Sequence, residues 1–286
     1  MRVTHRTAYL YAEKVSRSYT YTHLYPLEDD YQSRLTCSIE TDPPANYRQI
    51  SRDYFGNTCE YFGLDQEHTR FRITVESEVQ NHTPSADPLR SLAWQDACGL
   101  TGPADSGHAE LTEFYLPTDM IQWDTSMAAW AREFSQGQNN LYALAESFSL
   151  WVYQNFQYKP GSTHVRTTAM QAWRKKKGVC QDYANVVLAM LRSLGIACRY
   201  VSGYIENQVA AGAVKLTGSD ATHAWVSVYA PGCGWRDLDP TNGKWRTAEY
   251  ISIACGRDYQ DTAPTRGIVF GGGSSKMQVD VNVSRI

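Results

Sequence analysis

The stretch from Lys177 to Leu191 constrains the fold more than any other part of the chain. Gly178 permits a tight backbone turn, Cys180 follows almost at once, and an apolar periodic run then predicts a helix. A cysteine at a helix N-terminus readily becomes a thiolate, because unpaired N–H groups and the helix dipole favour negative charge there. We therefore predict that Cys180 is a nucleophile at the start of a packed helix.

The composition is that of an ordinary globular chain. Of its 286 residues, 42 % are hydrophobic and 20 % are charged, which suits one large or two ordinary domains. A net charge of −3 gives no reason to expect nucleic-acid or anionic-membrane binding. No apolar run could span a bilayer, and the start of the chain lacks the apolar segment of a signal peptide, so we expect neither.

The seven cysteines are odd in number, scattered, and without a C-x-x-C pair. That pattern argues against a zinc knuckle or a disulfide framework and favours a reducing compartment, so we expect a cytoplasmic protein. The histidines, including His5, His23 and His68, show no metal-ligand spacing, and we expect no metal and no cofactor. Apart from Cys180, the cysteines are interpreted as small buried hydrophobic residues.

The N-terminal part is rich in β-branched and aromatic residues. Residues 3–11 and 15–24 are strand-like, and residues 71–79 alternate cleanly between apolar and polar, as in a half-exposed antiparallel strand. Residues 53–58 carry a Gly-Asn turn signal between two runs. No helix pattern interrupts, so we predict an antiparallel, sandwich-like β-domain over residues 1–85.

A second domain, residues 86–286, is predicted after a polar segment with two prolines at 81–88. Helices are predicted after the caps Asp124 and Asn140, over 168–174, and from Cys180 to Gly195, the last with one apolar face of Ala184, Val187, Leu188, Leu191 and Leu194. A strand is predicted at 196–205, a loop at 206–221, a loop-rich region after Gly243, a flexible link at 271–275 and a terminal strand near 277–284.

A hairpin is predicted around the turn at residues 231–234, with arms 223–229 and 235–239. Pairing of Val228 with Gly234 places His223 directly opposite Asp239, and a shift of two residues leaves them diagonal. In either register the two side chains share a face at roughly 5–8 Å between positions. A one-residue slip would separate them, but it would also turn the buried apolar residues of the first arm outward. A His–Asp pair is therefore predicted.

These three side chains form a coherent chemical set. A cysteine nucleophile needs a base, and the base needs a group that orients it. Asp239 would hold one tautomer of His223, and His223 would take the proton of Cys180. The Cys180 backbone N–H would serve as one oxyanion donor, with Gln181 or Tyr158 as open alternatives for a second. Asp182 is interpreted as a first-turn helix stabiliser, and Asp237 is left undecided.

Three blocks in this order, 178–184, 222–229 and 234–242, resemble the bacterial transglutaminase-like superfamily over roughly residues 150–260. The N-terminal β region also resembles the domain that accompanies bacterial members. The resemblance implies an α+β fold whose papain-like core has a helical part and an antiparallel sheet. It also implies a Cys-His-Asp triad of Cys180, His223 and Asp239. Ser227 stands where many members carry Glu, which weakens any inference about acceptor-side electrostatics.

The implied function is acyl transfer or hydrolysis at amide bonds of peptides or proteins by a thiol enzyme. The residues leave open whether an amine or water resolves the thioester, and so whether the chain is a transglutaminase or a cysteine protease or amidase. The alternative is a catalytically idle transglutaminase-like fold that binds peptides or proteins.

Overall fold

The computed structural model describes residues 1–82, 92–98, 109–207 and 221–286. The expected domain boundary at residues 85 and 86 and most of the expected loop at 206–221 lie outside the described residues. Among the helices in these ranges, none combines the length and the apolar character needed to cross a bilayer.

The described chain forms strands and helices in the following order. The first group is β1 (Arg2–Thr22), β2 (Gln32–Asp42), β3 (Tyr47–Arg52), β4 (Thr58–Leu64) and β5 (His68–Asn81). The middle group is α1 (Thr125–Phe134), α2 (Leu141–Asn155), β6 (Gln157–Tyr158), α3 (Ala169–Lys175), β7 (Lys177–Gly178) and α4 (Cys180–Ser193). The last group is β8 (Cys198–Ile205), β9 (His223–Ala230), β10 (Gly234–Asp239), β11 (Lys244–Trp245), β12 (Tyr250–Gly256), α5 (Tyr259–Thr262), β13 (Thr265–Gly271) and β14 (Ser275–Ser284). Two short 3₁₀ helices lie at Trp94–Ala97 and Ala109–Phe114.

The N-terminal region is a curled antiparallel sheet built around the long strand β1. The first half of β1 pairs with β5 on one side and β14 on the other, and the second half pairs with β4 and β13. Two sets of strands therefore share β1 and close over a core that includes Leu24, Phe62 and Phe71. The predicted antiparallel, sandwich-like character is confirmed. Because β13 and β14 come from the far end of the chain, the sheet draws on both sides of the expected boundary, and that boundary stays a prediction.

The second half of the chain is an α+β unit, as predicted. Its sheet has the antiparallel order β11-β10-β9-β8-β12, and α4 packs on β9 and β8 with α1, α2 and α3 around it. The sequence predicted that α4 buries only one apolar face, but the buried surface of the helix is wider. Residues 181–192 are buried on every side of the helix, because sheet and helices enclose it. The caps Asp124, Asn140 and Thr168 accept backbone N–H bonds as expected.

Two expectations about the C-terminal part were wrong. The region after Gly243 is not mainly loop, since β12 is a completely buried strand and β13 pairs with β1. Residues 271–275 are not a flexible link: Glu13 N–H donates to the Gly272 carbonyl at 3.0 Å, and Gly272 N–H donates to the Lys14 carbonyl at 3.0 Å. Positive φ angles at residues 271–273 build an ordered kink between β13 and β14.

Candidate active site

The turn that precedes α4 is fixed by the carboxylate of Asp182. Its Oδ2 accepts the Val179 backbone N–H at 2.8 Å and the Thr163 hydroxyl at 2.6 Å. A Cβ on Gly178 would collide with this carboxylate, so only glycine fits there. The predicted role of Asp182 as a first-turn helix stabiliser is thereby confirmed, and Cys180 is placed as the first residue of the helix.

Burial raises the pKa of Asp182 above its usual range, and the bonds from Thr163 and Val179 offset only part of this effect. Its other oxygen, Oδ1, is buried without a hydrogen-bond partner among the described residues. The carboxyl is thus held tightly in a dry position at the base of the helix. It serves to shape the turn that presents Cys180.

The β9–β10 hairpin has the diagonal register of the two considered. Val228 pairs with Arg236 and Leu238 pairs with Val226, so His223 and Asp239 share a face two positions out of direct opposition. His223 Nε2 lies 2.9 Å from Asp239 Oδ2. Both side chains are out of contact with solvent, at 0 % and 1 % exposure. The hairpin therefore holds a dry His–Asp hydrogen bond.

Other donors besides His223 immobilise the Asp239 carboxylate. Thr241 backbone N–H donates to Oδ1 at 2.8 Å, while the Asn242 side-chain amide and the Tyr250 hydroxyl donate to Oδ2 at 2.7 and 2.8 Å. Burial alone would raise the pKa of Asp239, but His223 and these side-chain donors outweigh it and hold the value below the usual range. Asp239 is therefore a fixed anion beside the imidazole.

Two neighbouring groups raise the pKa of the His223 ring. Burial lowers its pKa, but Asp239 and Cys180 together outweigh burial and raise the value to about 10. Nδ1 makes no hydrogen bond of ordinary length within the described residues, yet Cys180 lies near enough to contribute to this shift. Nδ1 is thus the ring nitrogen that Asp239 does not engage.

Cys180 itself is half-buried and packs against the core of the helical part. Cys180 influences the pKa values of two tyrosines. Burial and then Cys180 raise the pKa of Tyr200, and Cys180 also adds to the burial that raises the pKa of Tyr259. Tyr259 in turn lines an open groove of about 480 Å³ that includes Asp119, Val165, Arg166, Ala263 and Arg266. Val165 of this groove accepts a hydrogen bond from Gln181, the second residue of α4, so the groove borders the first turn of that helix.

The two alternatives for a second oxyanion donor differ in their contacts. The Gln181 side-chain amide donates to the Val165 carbonyl at 3.0 Å, at the wall of the groove. The ring of Tyr158 packs edge-on against Tyr183 at 6.2 Å between centroids. Gln181 is therefore engaged in shaping the groove, next to the thiol.

The sequence alone leaves the role of Asp237 undecided. In the structure this residue lies on β10, two residues before Asp239, and supports the hairpin. Its Oδ2 accepts from Trp225 Nε1 at 2.9 Å and from Arg246 at 3.0 Å. Arg246 also donates to Gln32 Oε1 of the N-terminal sheet at 2.7 Å. The face that carries His223 is thus braced by residues from both halves of the chain.

Sequence reasoning missed Tyr250 and Arg246. Both come from the region expected to be loop-rich, where the run Tyr250–Gly256 is short and apolar. Such a run bounded by turn residues is a signal for a buried strand and could have been used. The partners of these residues, in contrast, depend on tertiary placement.

Two family models match the chain. The model of the transglutaminase-like superfamily covers residues 128–240, and that of the bacterial transglutaminase-like N-terminal region covers residues 1–80. An uncharacterized protein of Mycobacterium leprae is 33 % identical over 100 % of this chain and 99 % of its own length. An uncharacterized protein of Mycobacterium tuberculosis is 32 % identical over 99 % of this chain and 91 % of its own length. The chain belongs to the transglutaminase-like superfamily, and its first 80 residues form the N-terminal region of the bacterial branch.

Among solved structures, that of "a putative cysteine protease" from Cytophaga hutchinsonii is similar over nearly the whole chain. It aligns with a TM-score of 0.73 at 22 % identity, covering 98 % of this chain and 89 % of that one. At this level of identity the likeness shows a shared fold. It confirms the expected α+β architecture of a β-domain joined to a transglutaminase-like core.

Proposed function

We propose that the chain is a thiol enzyme that breaks amide bonds of peptides or proteins through an acyl-enzyme on Cys180, with His223 as base and Asp239 as its orienting group. The observation that carries the proposal is the dry 2.9 Å bond between His223 and Asp239. Burying a histidine and a carboxylate is costly unless the two are paired, and a pair beside a half-buried thiol is suited to activating it.

The proposed reaction begins with proton transfer from the Cys180 thiol to Nδ1 of His223. The thiolate attacks the amide carbonyl carbon, and a carbon–sulfur bond forms as the carbonyl π electrons move to oxygen. The backbone N–H of Cys180, one of the unpaired donors at a helix start, stabilises the negative charge on this oxygen by a hydrogen bond. When the tetrahedral intermediate collapses, the carbon–nitrogen bond breaks and the amine leaves with the proton from His223. A thioester remains.

Water or a second amine then resolves the thioester. Attack by water would make the enzyme a protease or amidase, and attack by an amine would make it a transglutaminase. In both cases His223 removes a proton from the incoming nucleophile and returns it to the sulfur of Cys180. The groove beside Tyr259 is the proposed place for the peptide or protein, because its wall includes Val165, whose carbonyl accepts from the side chain of Gln181, the residue after Cys180.

A reducing compartment such as the cytoplasm is part of the proposal. It is supported by the seven cysteines, all of them unpaired thiols in the structure. In an oxidising compartment the Cys180 thiol, which the proposed reaction needs in its reduced form, would be open to oxidation.

The test is alkylation of Cys180 as a function of pH, with mass spectrometry to identify the modified residue. A thiol paired with His223 is expected to react well below pH 8, whereas the His223→Ala thiol should react only near the pKa of free cysteine, about 8.5. Cys37→Ser serves as the matched control, since this half-buried thiol lies in the N-terminal sheet.

Identical pH profiles for the parent chain and His223→Ala would contradict the thiolate pair. A second experiment addresses the reaction itself: incubation with a library of peptide amides, then acid quenching and a search for a Cys180 adduct. A reactive Cys180 that forms no adduct with any amide would favour the peptide-binding alternative.

A further inference from the structure

A second group of chemically reactive side chains lies in the N-terminal sheet, outside the proposed active site. His23 follows β1, Asp53 follows β3, and Cys59 is the second residue of β4. One potential ligand atom from each lies within 4.8 Å of the others. Within the described ranges this is the only group of three such residues found so close together.

The orientation of His23 is fixed by a backbone carbonyl. Its Nδ1 lies 3.0 Å from the Ala263 carbonyl oxygen, which can only accept, so Nδ1 carries the hydrogen. Nε2 lies 3.3 Å from Asp53 Oδ2 and donates to it when protonated; loss of that proton would leave a lone pair at this position for a metal. A histidine that binds a metal through one nitrogen ordinarily donates from the other in this manner.

The carboxylate of Asp53 is also held in place. Its Oδ1 accepts the backbone N–H groups of Phe55 and Asn57 at 2.9 and 2.8 Å, and Oδ2 accepts the Asn57 side-chain amide at 2.7 Å. Oδ2, the oxygen next to His23, would gain a free lone pair once Nε2 has lost its proton. The side chain of Asp53 is 15 % exposed, which leaves a route by which an ion could enter.

Cys59 completes the group and has no part in the proposed reaction. Its side chain is completely buried, and its thiol donates to the Asn57 carbonyl at 3.3 Å. The Tyr21 hydroxyl also interacts with this thiol. A thiol, an imidazole nitrogen and a carboxylate oxygen thus lie within 4.8 Å of one another in a position that an apolar core would fill with hydrocarbon side chains.

We propose that His23 Nε2, Asp53 Oδ2 and Cys59 Sγ bind a single Zn²⁺ ion, with the Tyr21 hydroxyl or a water molecule in the fourth position. Zinc takes this mixture of nitrogen, oxygen and sulfur ligands in tetrahedral sites. On binding, the thiol proton and any proton on Nε2 pass to solvent, and three protein-to-metal bonds form. The oxidation state of the metal does not change.

Such an ion would fasten the N-terminal sheet to the segment that borders the groove. Ala263, whose carbonyl orients His23, is itself part of the groove wall. Asn57, which holds Asp53, also bonds the N–H and the carbonyl of Cys255 through its side chain, at 2.8 Å each. The zinc site is therefore structural in character and independent of the proposed reaction at Cys180.

The histidine spacing could not reveal the group, because its members come from three different parts of the sheet. Asp53 and Cys59 are close in sequence, but His23 is brought to them by pairing of β1 with β4. The expectation that no metal binds rested on ligand spacing along the chain, and that spacing does not detect ligands brought together by folding.

The experiment is a Co²⁺ titration of metal-free Cys180→Ala protein, so that the proposed catalytic thiol cannot contribute. One cobalt per chain is expected, with the intense near-ultraviolet charge-transfer band of thiolate coordination, followed by displacement with Zn²⁺. The band should vanish in Cys180→Ala/Cys59→Ser and persist in Cys180→Ala/Cys37→Ser. Absence of the band in the parent, or its survival without Cys59, would overturn the proposal.

A second measurement covers the case in which the Cys59 variant does not fold. His23→Gln and Asp53→Asn, each in the Cys180→Ala background, are expected to weaken Zn²⁺ binding at least about tenfold in competition with a chromophoric chelator. Bound zinc should also raise the thermal midpoint of the parent. Unchanged affinity in both variants would contradict the assigned ligands, whatever the activity of the enzyme.

Discussion

At the scale of single residues, the charge on His223 ties stability to pH. Its pKa is raised to about 10 in the folded chain, against about 6.5 when unfolded, because Asp239 and Cys180 outweigh burial. A raised pKa means that the folded state binds more protons in this interval. Its contribution to stability is complete below about pH 6.5 and disappears as the pH rises through about 10.

The resulting prediction concerns the free energy of unfolding between pH 7 and pH 9. For Cys180→Ala, in which no thiol gives up a proton to the ring while Asp239 still raises the pKa of His223, it should fall with a slope from this residue of up to about 1.4 kcal/mol per pH unit, and in Cys180→Ala/His223→Ala this part of the slope should be absent. Urea denaturation at several pH values measures both. Parallel pH profiles would show that the imidazole is not held in its charged form.

Tyr250 makes a second residue-scale prediction. Tyr250→Phe removes the hydroxyl donated to Asp239 and leaves the ring packed on Trp225 at 5.4 Å between centroids. Unfolding free energy at pH 7 should drop by about 1.5–3 kcal/mol, the usual cost of a lost bond to a charged group. Because the pKa of Asp239 is held low, this contribution is present above about pH 3.9 and is lost in acid.

Urea midpoints for Tyr250→Phe should therefore approach those of the parent toward low pH. Tyr153→Phe, which alters a half-exposed ring on α2, is the control and should change stability little at any pH. A deficit in Tyr250→Phe that stayed constant into acid would argue that the ring packing, and not the bond to Asp239, had been disturbed.

The His–Asp pair could be predicted from the sequence, whereas its support could not. Strand alternation alone puts residues 223 and 239 on one face in either register, so the prediction did not depend on the exact pairing. Tyr250 reaches Asp239 only because β12 lies at the other edge of the sheet, next to β8. No local pattern encodes that approach.

At the scale of elements, the start of α4 depends on one glycine. Gly178→Ala would drive a Cβ into the Asp182 carboxylate, which must then move and release the Val179 N–H. Overpacking of this kind costs about 1–3 kcal/mol. We expect that loss in urea denaturation, together with slower alkylation of Cys180.

Gly63→Ala is the matched control for this change. It adds the same methyl group to a buried glycine, but the nearest atoms of Tyr19 and Tyr47 lie at 3.4 and 3.5 Å, which is ordinary contact. Equal losses in the two variants would imply that the methyl group acts generally on the core. A loss confined to Gly178→Ala would locate the effect at the turn.

The helices were easier to predict than the C-terminal strands. Helices α1, α2 and α3 begin after Asp, Asn and Thr caps, which are local sequence signals. β12 and β13 lack such signals, and the three glycines at 271–273 match a flexible linker in composition. Their order arises only from backbone bonds to residues at the opposite end of the chain.

At the scale of the whole molecule, Gln32 joins the two halves. Its amide nitrogen donates to the Leu27 and Ser252 carbonyls at 2.8 and 2.9 Å, and its oxygen accepts from Ser252 N–H and Arg246 at 2.8 and 2.7 Å. The contact spans more than two hundred residues of sequence, so no local pattern could have predicted it.

Gln32→Ala is expected to lower the unfolding free energy by about 1–3 kcal/mol, because buried donors and acceptors lose their partner. Unfolding followed by tryptophan fluorescence and by far-ultraviolet circular dichroism should still coincide, since the halves also share β1. Ser33→Ala, which removes an exposed bond to His82, is the control. Separate transitions in the parent chain would contradict this account of the assembly.

The pairing of β1 with β13 and β14 also has a consequence for folding during translation. One side of β1, residues 2–22, receives its partner only from residues 265–284. At ordinary translation rates that partner is made roughly 10–50 seconds later. Until then an edge of the new sheet has open hydrogen-bonding groups, which are prone to pair with other chains. Yield in the cell should therefore depend on chaperones that shield the nascent chain during this interval.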